Sequence, residues 1–205
     1  MPGPVDLASI TTAAVELLDE GGLPAVSTRK LATKLGISSP SLYWHVRDKA
    51  ALLDLVAEAI CADAFTVDPG LGWRDQLAEG LRQFRTMLLA HRDAAELLRQ
   101  RPPTGPHRLR HIETTLRILF DAGFTDDEAA GIVRLLTAHV LNSVDTRPAP
   151  EPDEDRRAAM REAMATYPNL RRVGPALVRQ TGGELFELGL GVILDGLVAR
   201  AAAKG

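Results

Sequence analysis

A chain of 205 residues with 45% hydrophobic content is long enough for two small domains that share helices, and its 4% aromatic content indicates an aliphatic, Leu/Ala-rich interior. It holds no run of about 18 apolar residues that would read as a transmembrane helix, and no basic-then-apolar start that would read as a secretory signal. The formal net charge of −3 disfavours nucleic acid as a whole-chain average, so any such contact has to rest on a local concentration of basic groups.

Along the chain almost everything reads as helix. Ile10, Ala14, Leu17 and Leu18 recur at helical spacing, and Gly21-Gly22 close that helix. Ser27 is an N-cap for a short helix carrying Leu31, Ala32 and Leu35, ended by Gly36. Ser38 caps a third helix that tolerates Pro40 in its first turn, and Asp48 caps a longer fourth through Leu52, Leu53, Val56 and Ile60. Asp68-Pro69-Gly70 with Gly72 breaks the chain. One helical pattern then runs from Trp73 to about Leu98, through Leu77, Leu81, Phe84 and Leu88, until Arg101–Pro106 forces a loop.

His107–Ala122 is helical and stops at Gly123; Thr125 and Glu128 form a capping box for a helix through Ile132, Leu135, Leu136, Val140 and Leu141. Thr146–Arg157, with three prolines and four acids, reads as an irregular loop, followed by a helix around Ala158–Thr166. The last helix, Glu184–Ala203, is the most apolar of all. With no convincing strand, the expected class is all-α. The expected division is a three-helix helix-turn-helix domain over residues 1–66, with its long fourth helix, and a helical domain over 67–205.

The basic groups are concentrated. All five Lys and Arg of residues 1–64 (Arg29, Lys30, Lys34, Arg47, Lys49) fall within Ser27–Lys49, where Asp48 is the one acid, so that window carries +4 in a negative background. Ser27–Val46 also has the parts of a helix-turn-helix. Ala32 is the small residue at the crossing and Gly36 the turn; Leu31, Leu35, Ile37, Leu42 and Val46 lock the second helix, whose short Ser38, Ser39 and Ser41 let it approach a major groove. Tyr43 and Trp44, adjacent in sequence, cannot both face one core. Composition and spacing alone leave a second reading open, an ordinary three-helix cap with half-buried aromatics.

Leu7–Phe65 resembles the N-terminal domain of TetR-family regulators, and Ser41–Asp54 (SLYWHVRDKAALLD) is very similar to the tetracycline-repressor subgroup. The resemblance implies that Arg29, Ser39, Pro40 and Ser41 face bases of double-stranded operator DNA. It implies that Thr28, Tyr43, Trp44, His45 and Lys49 hold the backbone. Ser39 stands where that subgroup carries a larger amide side chain, which implies a different operator. Trp73–Leu98 and the Arg101–Thr104 loop resemble the same family's effector-binding and dimerisation domain. The subgroup's drug–magnesium chelate is held by two histidines and an asparagine; the aligned positions here are Phe65, Gly80 and Leu97 or Leu98. Tetracycline is therefore not the expected effector.

The expectation is an unidentified small, largely apolar effector in a pocket drawn from Phe65, Phe84, Met87, Leu88, Leu98, Ile112, Leu116, Leu135, His139 and Asn142. Plain core packing is the competing reading for each, and internal hydrogen bonding competes for His139 and Asn142, three apart on an apolar helix. His107 and His111, at i and i+4 with Glu113 nearby, have zinc-like spacing but no third ligand; Arg108 and Arg110 beside them read as a solvated face. No metal or cofactor is expected. Cys61, the one cysteine, reads as a buried inert thiol in a cytoplasmic protein. The last helix is too apolar for an exposed helix of a monomer, which points to a homodimer using Leu185, Leu188, Val192 and Ile193. Repressor and activator are not separable by sequence. An enzyme is disfavoured, since no GxxxxGK[ST], HExxH or GxSxG occurs.

Overall fold

The computed structural model describes residues 6–62, 66–144 and 153–204. Among them the chain is all-α: α1 Leu7–Gly21, α2 Thr28–Leu35, α3 Ser39–Tyr43, α4 Lys49–Ala59, α5 Trp73–Ala90, α6 Ala94–Gln100, α7 Pro106–Asp121, α8 Asp126–Ser143, α9 Glu154–Ala165, α10 Pro168–Arg179 and α11 Gly182–Ala202, with a 3₁₀ turn at Leu23–Ala25. No helix among the described residues is long and apolar enough to cross a membrane.

Local chemistry sets most boundaries. Ser27 accepts from the Lys30 N–H at the start of α2, and Asp48 accepts from the Ala51 N–H at the start of α4, so each supplies a partner to a helix donor that has none within the helix. Gly36 ends α2 at φ 66°, a left-handed conformation that a Cβ would strain. Capping boxes open α8 (Thr125 with Glu128) and α11 (Thr181 with Glu184).

The single helix expected over Trp73–Leu98 is instead two. α5 stops at Ala90 and α6 begins at Ala94, because Asp93 is left-handed (φ 54°) and its carboxylate accepts from the Leu23 N–H at 3.0 Å. Gly22 makes room for this contact, since a Cβ there would come within 2.2 Å of the Asp93 carboxylate. The irregular loop expected over Thr146–Arg157 falls partly outside the described residues, and its end, Glu154–Arg157, is the first turn of α9. α10 was not expected from the sequence at all.

In the first half, α1 packs on α2 and α4, and α3 packs on α2. In the second, α5, α7, α8 and α11 pack together, with α6 wedged between α4 and α8. α4 joins the halves by packing on α1 at one side and on α6 and α7 at the other. The buried apolar residues form one cluster, from Ile10 in α1 to Leu197 in α11. α9 and α10 pack against each other and leave Leu170, Val173 and Leu177 exposed.

The far end of α11 is tied to α8. Glu128 accepts from the Lys204 ammonium and from Thr125, which pulls its carboxyl down to about 2 from an ordinary 4.5. A depressed carboxyl stabilises the fold above its unfolded value and ceases to do so as it is protonated in the fold. Stability is therefore expected to fall between pH 4.5 and about 2, and Glu128→Gln to flatten that part of a thermal-melting profile against pH. An unchanged slope in the variant would remove Glu128 from the account of acid lability.

Candidate DNA interface and effector cavity

Between Ser27 and Lys49 the structure divides the side chains cleanly. Leu31, Ala32, Leu42 and Val46 are buried and lock α3 across α2. Arg29, Ser39, Pro40, Ser41, Tyr43, Trp44, His45 and Lys49 are all exposed, and Thr28 is partly so. α3 is a five-residue helix. Ser38 caps it through the Ser41 N–H, while the Ser38 and Ser41 hydroxyls lie 2.8 Å apart. Trp44 at 90% and Tyr43 at 52% exposure rule out the half-buried cap that composition allowed. Two neighbouring aromatic rings exposed in a window that also carries Arg47 and Lys49 make this a candidate contact surface.

The cations sort themselves as well. Lys34 turns back to Glu16 (3.0 Å) and Glu20 (2.8 Å) on α1, and Arg47 lies 3.3 Å from Asp48. Arg29, Lys30 and Lys49 are exposed and, among the described residues, without an ion pair. Lys30, counted among the basic groups of this window but not among the expected contact residues, is exposed next to Arg29 on α2.

The second feature is a cavity of about 370 Å³ between α5, α6, α7, α8 and the loop after α6. Phe84, Leu98 and Ile112 line it as expected, joined by Leu81, Val133, Leu136 and Leu141. Phe65 lies outside the described residues. Met87 and Leu116 pack half-buried against the core, Leu88 is buried, and Leu135 is 52% exposed; none of the four lines the cavity. His139 and Asn142 also stay out of it. His139 Nε2 lies 3.0 Å from the Phe186 backbone carbonyl with its ring stacked on Phe186, and the Asn142 side-chain oxygen accepts from Arg99.

The polar lining was not foreseen. Arg99, Arg101, Arg108, His111, Thr115 and Thr137 face the cavity, with Cys61 at its α4 end. Arg108 and His111 therefore do not form the solvated face expected of them. The signal was present: 108, 111, 112 and 115 are one helical face, and Arg110 belongs to another. Arg101 also bonds Asp54 of α4 through two contacts of 2.7 Å, and these hold the Asp54 carboxyl below the ordinary range. Glu58 of α4 accepts from the His107 and Arg108 N–H groups at the start of α7. Burial pushes the Cys61 thiol up to about 12, so it is neutral at physiological pH. One imidazole, three guanidiniums and no carboxylate among the described lining residues do not fit a divalent cation. Nor do three His, Cys, Asp or Glu converge elsewhere among them.

Residues 67–201 match the family model of the tetracyclin repressor-like C-terminal domain, and residues 10–56 that of bacterial regulatory proteins of the tetR family. The chain belongs to the TetR family of transcriptional regulators. Members bind operator DNA as dimers and often a small ligand, and they are not enzymes.

Among relatives, this TetR-family chain is 35% identical over 195 residues to the tetracycline repressor protein class A from transposon 1721 of Escherichia coli, covering 94% of this chain and 90% of that one. It is similar in structure to ActR of Streptomyces coelicolor in complex with actinorhodin (TM-score 0.86, 31% identical, 99% of this chain and 100% of that one). It is also similar to BioQ, solved from Mycobacterium smegmatis and with its natural double-stranded DNA operator (TM-score 0.66, 25% identical, 95% and 99% covered).

Proposed function

We propose that this regulator is a repressor, bound as a homodimer to a near-palindromic operator through residues 1–66 and released by a small, largely apolar ligand other than tetracycline that enters residues 67–205. The observation that carries this is the position of α4. Its first residue, Lys49, is one of the exposed cations of the candidate DNA face, while Asp54 and Glu58 hold the cavity's Arg101 and the start of α7. A ligand that moved Arg101 or α7 would tilt α4, and with it the spacing of the two reading heads.

Arg29, Ser39, Pro40 and Ser41 read bases; Thr28, Tyr43, Trp44, His45 and Lys49 hold phosphate and sugar. Exposure of the set, partial at Thr28 and greater at the others, supports the assignment. Phe84, Leu98 and Ile112 supply apolar wall for the ligand. The dimer forms through α8 and α11, where Leu185, Leu188 and Val192 are exposed on one α11 face (48%, 58% and 66%) and Ile193 is partly buried beside them. Related structures solved with actinorhodin and with operator DNA support both halves of the reading.

Selection of bound sequences from random DNA tests the proposal. It is expected to return two half-sites about 34–36 Å apart, one helical turn. Failure to enrich any sequence would overturn it. On the enriched site, Arg29→Ala is expected to lose about 1–3 kcal/mol at one base position, whereas Lys49→Ala weakens all sequences alike and lowers the salt slope by about one. Uniform losses in both variants across a binding array would contradict this division of roles.

A further inference from the structure

We propose that the effector is an organic anion, an apolar body carrying one carboxylate or comparably acidic group, with the Arg108 guanidinium as its anchor. This rests on the reading of the cavity as the effector site and adds the ligand's charge.

The lining is apolar over most of its surface, yet it carries three arginines and one histidine and no acid among the described residues. The arginines differ in what they already hold. Arg101 is committed to Asp54 by two contacts of 2.7 Å. Arg99 donates to the Leu141 carbonyl at 2.7 Å and reaches Asn142 and Glu96. Arg108 reaches only the carbonyls of Pro102, at 3.2 Å, and Leu98, at 3.5 Å, and pairs with no carboxylate among the described residues. Glu58, the nearest acid of α4, spends its oxygens on the backbone N–H groups of His107 and Arg108. Cys61 offers no counter-charge, because its thiol stays protonated.

A half-buried guanidinium with no carboxylate in contact is costly: burial pulls Arg108 below the ordinary arginine range even though the charges of Glu58 and Asp54 act on it from a distance in the other direction. A carboxylate accepting two N–H groups from the guanidinium fork removes that cost, and a neutral isostere does not. Phe84, Ile112 and Leu136 meanwhile form an apolar wall for the rest of the ligand.

The probes are 2-naphthoate and 2-naphthamide, equal in shape and different in charge. Titrated into the full-length protein by calorimetry, the carboxylate is expected to bind about tenfold or more tightly than the amide. The preference should vanish in Arg108→Gln and survive in part in Arg108→Lys, which keeps the charge and loses the fork. Thermal melts of both variants establish that they fold.

Equal or tighter binding of the amide, no binding of either probe, or a carboxylate preference unchanged in folded Arg108→Gln each overturn the proposal. Release of labelled operator is read in parallel. Preferred carboxylate binding without release would uphold the ligand class and refute the release mechanism. Release by the amide would do the reverse.

Discussion

A Leu188→Asp, Val192→Asp double variant is expected to be monomeric and to lose about 10²-fold or more in operator affinity, while keeping its helicity. Both positions are exposed in the single chain, at 58% and 66%, so an aspartate there meets water and costs the protomer little. In a symmetric dimer each substitution is counted twice across one two-fold axis, and four carboxylates cannot be buried against one another without partners. The loss in DNA binding follows from geometry and not from any lost contact to DNA. Two linked half-site interactions become two separate ones, and the second no longer benefits from the high effective concentration set by the first. Sedimentation gives the oligomeric state and fluorescence anisotropy on the operator gives the affinity. A variant that stays dimeric places the interface elsewhere.

Leu42→Ala is expected to cost about 2–5 kcal/mol of stability and most of the operator binding, although Leu42 touches no DNA in the proposed complex. Leu42 is 1% exposed and is the buried residue of α3, a helix of five residues. So short a helix has no stability of its own and exists because it is docked on α2. Removing the docking residue leaves a cavity and frees the element that presents Ser39, Pro40 and Ser41. The neighbouring Ser41→Ala, at an exposed position, is expected to leave the melting temperature nearly unchanged while altering binding. Equal melting temperatures for Leu42→Ala and the parent would refute the packing account.

The sequence conveyed the fold wherever short-range chemistry decides it. Ser27, Asp48 and the Thr125–Glu128 pair are caps whose partners lie three residues away, so their meaning is written locally. The break between α5 and α6 was invisible for the opposite reason. Asp93 takes its left-handed turn and holds the Leu23 N–H across 70 residues of chain, and apolar periodicity runs on undisturbed through it. α10 was missed because Gly174 and Pro175 lie inside it, and both disfavour helix when read alone.

The two sites differ in the same way. The exposed face proposed for DNA could be anticipated because its side chains all come from one contiguous stretch, with the apolar residues that anchor it at helical spacing between them. The cavity is assembled from four helices and a loop, so Arg99, Arg101 and Arg108 could be placed in it only once the packing was known. Arg108 and His111 were read by their neighbour Arg110 when their helical face, shared with Ile112 and Thr115, was the better guide.

The apolar cluster that runs unbroken from Ile10 to Leu197 bears on how far such a regulator can be taken apart. With α4 packed on α1 at one side and on α6 and α7 at the other, through apolar contacts and the bonds of Asp54 and Glu58, the two halves are expected to unfold together instead of as two modules on a string. A chimera that joins this reading head to another sensor must therefore carry over the whole α4 seam, with the partners of Asp54 and Glu58, since a cut at residue 66 divides a single core.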